Sequence, residues 1–122
     1  MKMIVHVDNS EFFRKLMKTF FTEQGFLGES FSHGAEALKV ICRGDASVVI
    51  TGMALADMDG IEFIKRIDTS SYTGPIIVLT SNASKDEQLA QEALGVKVHI
   101  LKSGSWQEEL LPHLYACLDH GV

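Results

Sequence analysis

Val48-Val49-Ile50-Thr51-Gly52-Met53-Ala54-Leu55-Ala56-Asp57-Met58-Asp59-Gly60 decides how this chain folds. Its apolar, β-branched start reads as a strand covered on both faces, the pattern of a parallel sheet under helices. Thr51-Gly52 ends the run, a short loop follows, and Asp59-Gly60 opens a helical pattern at Ile61. A buried strand that stops in this way delivers its C-terminal end to an open sheet edge. Parallel α/β sheets place their ligand chemistry at that edge. Position 52 therefore governs what chemistry is available, and it holds Gly, which has no side chain to react.

Outward from this stretch, strands and helices alternate. Met3 to Asp8 reads as a first strand, apolar on both faces apart from His6. Asn9 or Ser10 supplies a helix cap, because a short polar side chain accepts from the free N–H groups of a first turn. Phe12, Phe13, Leu16, Met17, Phe20 and Phe21 recur at helical spacing and predict one broad apolar face, stopped by Gly25. Phe26 to Ser32 is a weaker strand, suited to a sheet edge. Ala35, Ala37, Leu38 and Ile41 predict a second helix, ended near Gly44, and Ser47 to Thr51 is the third strand. Ile61, Phe63, Ile64 and Ile67 mark a third helix, and Gly74-Pro75 a turn.

Ile76 to Thr80 is the clearest strand of all. Ser84 with Glu87, and Ser105 with Glu108, form capping boxes at the fourth and fifth helices. Val96 to Leu101 is the fifth strand, between Gly95 and the last helix, inside which Pro112 removes a backbone hydrogen bond. Five strands alternating with five helices predict an α/β fold, a doubly wound parallel sheet with helices on both faces. Residues 1–122 form one domain without repeats or linkers, and only His120-Gly121-Val122 follows the last helix, so no output domain is expected in this chain.

Composition narrows the functional classes. The formal net charge of −5 argues against nucleic acid as a direct partner, which calls for a basic patch. No apolar run approaches the roughly 20 residues of a transmembrane helix, and Asp8 interrupts the N-terminal apolar stretch too early for a signal peptide. A cytoplasmic setting is expected. Cys42 and Cys117 match no zinc or redox spacing, and the inferred topology puts them on opposite layers, so no disulfide is expected. His6, His33, His99, His113 and His120 are scattered, and no two of them share metal-ligand spacing on a helix.

The predicted strand ends carry Asp8-Asn9, Gly52, Thr80 and Lys102. A carboxylate, an amide, a hydroxyl and an ammonium would thus meet at one sheet edge. With Val5 to Asp8, Met58-Asp59-Gly60-Ile61-Glu62, Ile77 to Thr80 and Leu101-Lys102, the whole chain resembles the receiver domain of bacterial response regulators, the CheY-like fold. The resemblance implies the strand order 2-1-3-4-5. It implies phosphoryl transfer from a histidine kinase to an Asp at the end of the third strand, with acidic residues after the first strand binding magnesium. It also implies a partner face built from helix four, strand five and helix five.

Carried onto this sequence, Asp8 and Asn9 take the two acidic positions, Thr80 the phosphoryl-contacting hydroxyl and Lys102 the invariant lysine. Seven positions before Asp59, Gly52 stands where the accepting Asp belongs. Ala54 takes the position whose carbonyl meets the metal, and His99 that of the switch aromatic. Ala56 and Ser103 replace frequent prolines. An aspartyl phosphate requires a carboxylate nucleophile, which Gly52 lacks. Magnesium prefers several carboxylate oxygens, and Asp8 alone faces Lys102, so very weak magnesium binding is expected, with Asp8 a vestigial ligand. Asp8 and Lys102 are expected to pair directly.

The resulting expectation is a pseudo-receiver that acts as a non-catalytic protein-interaction module. Its partners would be a histidine kinase, another receiver or an output domain, or a second copy through helix four, strand five and helix five. Two alternatives stand beside it. One is a working phospho-receiver that uses Asp57 or Asp8. The other is a flavodoxin-like nucleotide or flavin binder, which needs a Gly-, Ser- or Thr-rich phosphate loop where this chain has Asp8-Asn9-Ser10-Glu11-Phe12.

Overall fold

The computed structural model describes residues 2–82 and 84–119. The tail His120-Gly121-Val122 lies outside them. Ten elements alternate along the chain: β1 (Met3–Val7), α1 (Glu11–Gln24), β2 (Gly28–Phe31), α2 (Gly34–Cys42), β3 (Ala46–Thr51), α3 (Gly60–Asp68), β4 (Ile76–Thr80), α4 (Lys85–Ala93), β5 (Val98–Leu101) and α5 (Trp106–Asp119). The five strands are all parallel and lie in the order β2-β1-β3-β4-β5. The doubly wound sheet predicted above is therefore the observed one.

Side-chain alternation along the strands builds two cores, one on each face of the sheet. Ile4, Val48, Ile50, Ile77, Leu79 and Ile100 face α1 and α5, where they pack with Phe13, Met17, Trp106, Leu110 and Leu114. Val5, Val7 and Val49 face the other way, toward Ala37 and Ile41 of α2 and Phe63 and Ile67 of α3. Ile64 and Val78, with Val96, form a smaller cluster on that second side. The largely apolar run of each central strand is the direct result of cover on both faces.

Local signals set the element ends. Ser10 caps α1, its Oγ accepting from Phe13 N at 3.1 Å, and Gly25 closes the helix at φ 73°. Asp59 caps α3 through Glu62 N at 2.8 Å. A Cβ on Gly60 would come within 2.8 Å of the Gly52 carbonyl oxygen, so the start of α3 can press directly on the end of β3. Pro112 lies inside α5 as expected.

Three expectations are corrected. Phe12 does not join the apolar face of α1 and is 73% exposed. Phe13, Met17, Phe20 and Phe21 define that stripe, and Phe12 sits one residue, about 100° of helix rotation, away from it. The second strand is Gly28–Phe31 rather than 26–32, because Phe26 turns back to bond Phe21 O and to pack against the Phe20 ring. The fifth strand begins at Val98 rather than Val96. Val96 N donates to Gln91 O, which satisfies the end of α4 instead of the sheet. Cys117 packs against the α1/α5 core while Cys42 ends α2 on the other layer, and both thiols are free.

Candidate functional site

The C-terminal ends of β1, β3, β4 and β5 bring the predicted residues into one crevice of about 430 Å³. Asp8, Asn9, Ala54, Thr80 and Lys102 line it, together with Glu87 from α4. Asp8 directly follows β1 and is only 3% exposed. Its Oδ1 accepts from Ser10 N at 2.9 Å, and its Oδ2 lies 2.6 Å from Lys102 Nζ. This second contact is a close ion pair with the ammonium off the line of a hydrogen bond. The backbone beneath it is fixed as well. Arg14 Nη1 donates to Asp8 O at 2.8 Å and to Asn9 O at 2.9 Å, while Asp8 N donates to Phe31 O. Lys102 follows β5, its N–H bonded to Thr80 O, and its ammonium lies 4.6 Å from the centre of the Phe13 ring.

Gly52 continues the line of β3 and is buried, its N–H donating to Val7 O at 2.8 Å. Thr51 cannot take its place as a nucleophile, because the hydroxyl donates to Gly52 O at 2.7 Å and the side chain is buried. Ala54 O accepts from Asn9 N at 3.0 Å. Thr80 Oγ1 accepts from Asn82 N at 3.2 Å and stays half-buried.

Asp57 does not enter this crevice. Its Oδ1 and Oδ2 accept from Gly34 N at 2.7 Å and Ala35 N at 3.0 Å, so it caps α2 from across the molecule. His33, at the head of that helix, gives no side-chain cap. Slight burial would raise the Asp57 pKa, but the N–H groups of Ala35 and Gly34 outweigh it, and the carboxyl is held below its ordinary value. Asp57 thus stands at the head of α2, apart from the crevice. Asp8, the other candidate, has its carboxylate buried and held by Ser10 and Lys102.

The magnesium implied by the resemblance does not fit these residues. It needs several oxygen ligands at near-octahedral angles. Here the Asp8 carboxylate is already neutralised by an ammonium 2.6 Å away, Glu87 adds a second carboxylate from α4, and residue 52 offers no oxygen beyond its backbone to complete a third. Among the described residues no group of three or more His, Cys, Asp or Glu side chains is placed to hold a metal. A dinucleotide or flavin phosphate is equally ill served, since the loop after β1 meets it with the Asp8 carboxylate.

His99 stands on β5, half-buried, beside a second cavity of about 180 Å³ between α4 and β5. Thr80, Asn82 and Glu87 line both this cavity and the crevice. Burial lowers the His99 pKa below its ordinary value, with Glu92 opposing. Two polar groups near the site were missed by sequence reading. His6 is wholly buried, its Nδ1 2.9 Å from Ser30 Oγ, and burial pushes its pKa down to about 4, opposed by Asp8 and reinforced by Lys102 and Arg14. Gln91 of α4 is buried and its Nε2 reaches Met53 Sδ at 3.1 Å, which ties α4 to the residue after Gly52. The apolar run of β1 around His6 marks its burial but not its partner, and no local signal marks Gln91.

Comparison with known proteins agrees with this geometry. Residues 4–114 match the family model of the response regulator receiver domain. The chain is 29% identical over 119 residues to the transcriptional regulatory protein GltR of Pseudomonas aeruginosa, an alignment covering 96% of this chain and 49% of GltR. It is 30% identical over 106 residues to chemotaxis protein CheY1 of Helicobacter pylori, covering 84% of this chain and 85% of that protein. The chain thus spans about half the length of GltR but most of CheY1. Among solved structures, CheY4 of Vibrio cholerae superposes with a TM-score of 0.84 at 27% identity, covering 96% of this chain and 98% of CheY4. A CheY-like receiver domain from Methanospirillum hungatei gives a TM-score of 0.86 at 22% identity, covering 98% of this chain and 95% of that one. With its strand order, crevice and sequence all in agreement, this chain belongs to the response regulator receiver domain family of two-component signalling.

Proposed function

We propose that this receiver domain is a pseudo-receiver, a protein-interaction module that works without aspartyl phosphorylation. The observation that carries this reading is the buried Gly52 at the end of β3, with the Asp8 carboxylate set against it. Phosphoryl transfer onto a receiver needs a free carboxylate oxygen aligned with the donor. Asp8 is paired and buried, and Asp57 is spent on α2. In this reading the domain acts by docking in a single conformation, at a cytoplasmic location. Its partners are a histidine kinase, another receiver or an output domain, and it binds neither nucleic acid directly nor a membrane. No helix among the described residues is long and apolar enough to cross a membrane.

A second copy through α4, β5 and α5 is the most specific form of the proposal. Leu89 on α4 and Leu101 on β5 stay 59% and 42% exposed, which supports that face. The beryllofluoride-activated NtrC4 receiver domain, solved as a dimer, shares the fold with a TM-score of 0.82 at 25% identity. The deciding experiment is incubation with acetyl phosphate and magnesium, with the intact mass read before and after. The expected result is an unchanged mass. A phosphoryl adduct on any residue of the crevice would overturn the reading.

A further inference from the structure

Gly52 is not glycine for the sake of its backbone. Among the described residues the glycines at positive φ are Gly25, Gly44, Gly95 and Gly104, and Gly52 is not one of them. Any L residue can therefore adopt its conformation. What excludes a side chain is a single neighbour. A Cβ built at position 52 would lie 2.8 Å from Asp8 Oδ2, 3.0 Å from Asp8 Cγ and 3.4 Å from Asp8 Oδ1. These are the three nearest heavy atoms, and all belong to Asp8. Oδ2 is also the oxygen that pairs with Lys102 at 2.6 Å. One oxygen atom thus sits where residue 52 would begin its side chain and where the lysine finds its charge.

We infer that the side-chain space of residue 52 and the ammonium of Lys102 compete for Asp8, so that an uncharged side chain at 52 displaces Asp8 Oδ2 and loosens its hold on the lysine. This rests on the reading of the crevice as an inactive receiver site and makes Asp8 its resident occupant. Asp8 has no easy second place. Its backbone is fixed by Arg14 and Phe31, so the residue cannot move as a whole, and its short side chain turns away only by giving up the Ser10 N–H. A displaced Asp8 leaves Lys102 against the Phe13 ring without its carboxylate.

The test is a double-mutant cycle of Gly52→Ala and Asp8→Ala, read by Tm, together with trace acetylation of Lys102 by acetic anhydride, read by peptide mass. Gly52→Ala is expected to lower Tm by several degrees in the natural background and to cost nothing further in the Asp8→Ala background. Lys102 acetylation is expected to rise several-fold in both single variants. Should Gly52→Ala fail to fold, folding of the double variant supports the inference, and failure of both overturns it. Additive Tm losses, or a Lys102 acetylation rate left unchanged by Gly52→Ala, would also overturn it. A phosphoryl adduct on the natural chain would instead remove the proposed function while leaving this cycle to be read on its own.

Discussion

His6 faces the same core as Phe13, in the middle of the sheet, and its ring is neutral in the folded chain. Its folded pKa of about 4 lies below the ordinary 6.5, so the unfolded chain takes up the proton first. The stability this contributes is present above about pH 6.5 and drains away as pH falls toward 4, a loss of about 3 kcal/mol once the unfolded imidazole is charged. Urea midpoints measured from pH 7 to 4 should fall steeply, and His6→Gln should flatten the curve. Lys102→Met removes the counter-charge of a buried carboxylate and should cost about 3 kcal/mol by urea denaturation. At this scale the sequence was legible where strand ends fix a residue's place, as for Asp8, Gly52, Thr80 and Lys102. The partner of His6 and the burial of Gln91 were not legible, because the residues that meet them lie far off in the chain. Ser30, for instance, is 24 positions from His6.

Among the elements, α2 depends most on a distant residue. Its first turn presents N–H groups without a local side-chain cap, and Asp57 supplies both oxygens. Asp57→Ala should lower stability by about 1 kcal/mol, read as an earlier urea midpoint, and should leave the acetylation of Lys102 unchanged because the crevice stands apart from this cap. The strands and helices themselves were legible from apolar periodicity, and their mistakes were all at ends. Phe26, Val96 and Phe12 are apolar and were assigned to the nearest element. Tertiary contacts instead took Phe26 into the helical layer and Val96 into the finish of α4, while Phe12 was left in solvent. Asp57, five residues past Gly52, is a candidate acceptor by sequence alone, and only the fold reveals that its carboxylate meets the first turn of α2.

For the molecule as a whole, five strand runs, the central three largely buried, separated by amphipathic stretches left few topologies, and right-handed crossovers selected the order found. The partner face is a matter of the same scale. If a second copy docks on α4, β5 and α5, the sedimentation coefficient should rise with concentration, and Leu101→Lys should hold it at the monomer value without lowering Tm. The link between Asp57 and α2 carries a further consequence, this one in time. The carboxylate that completes the second helix lies 23 residues downstream of Gly34. As the chain leaves the ribosome, the first turn of that helix must wait, frayed, until the loop beyond the third strand has emerged and folded back onto it.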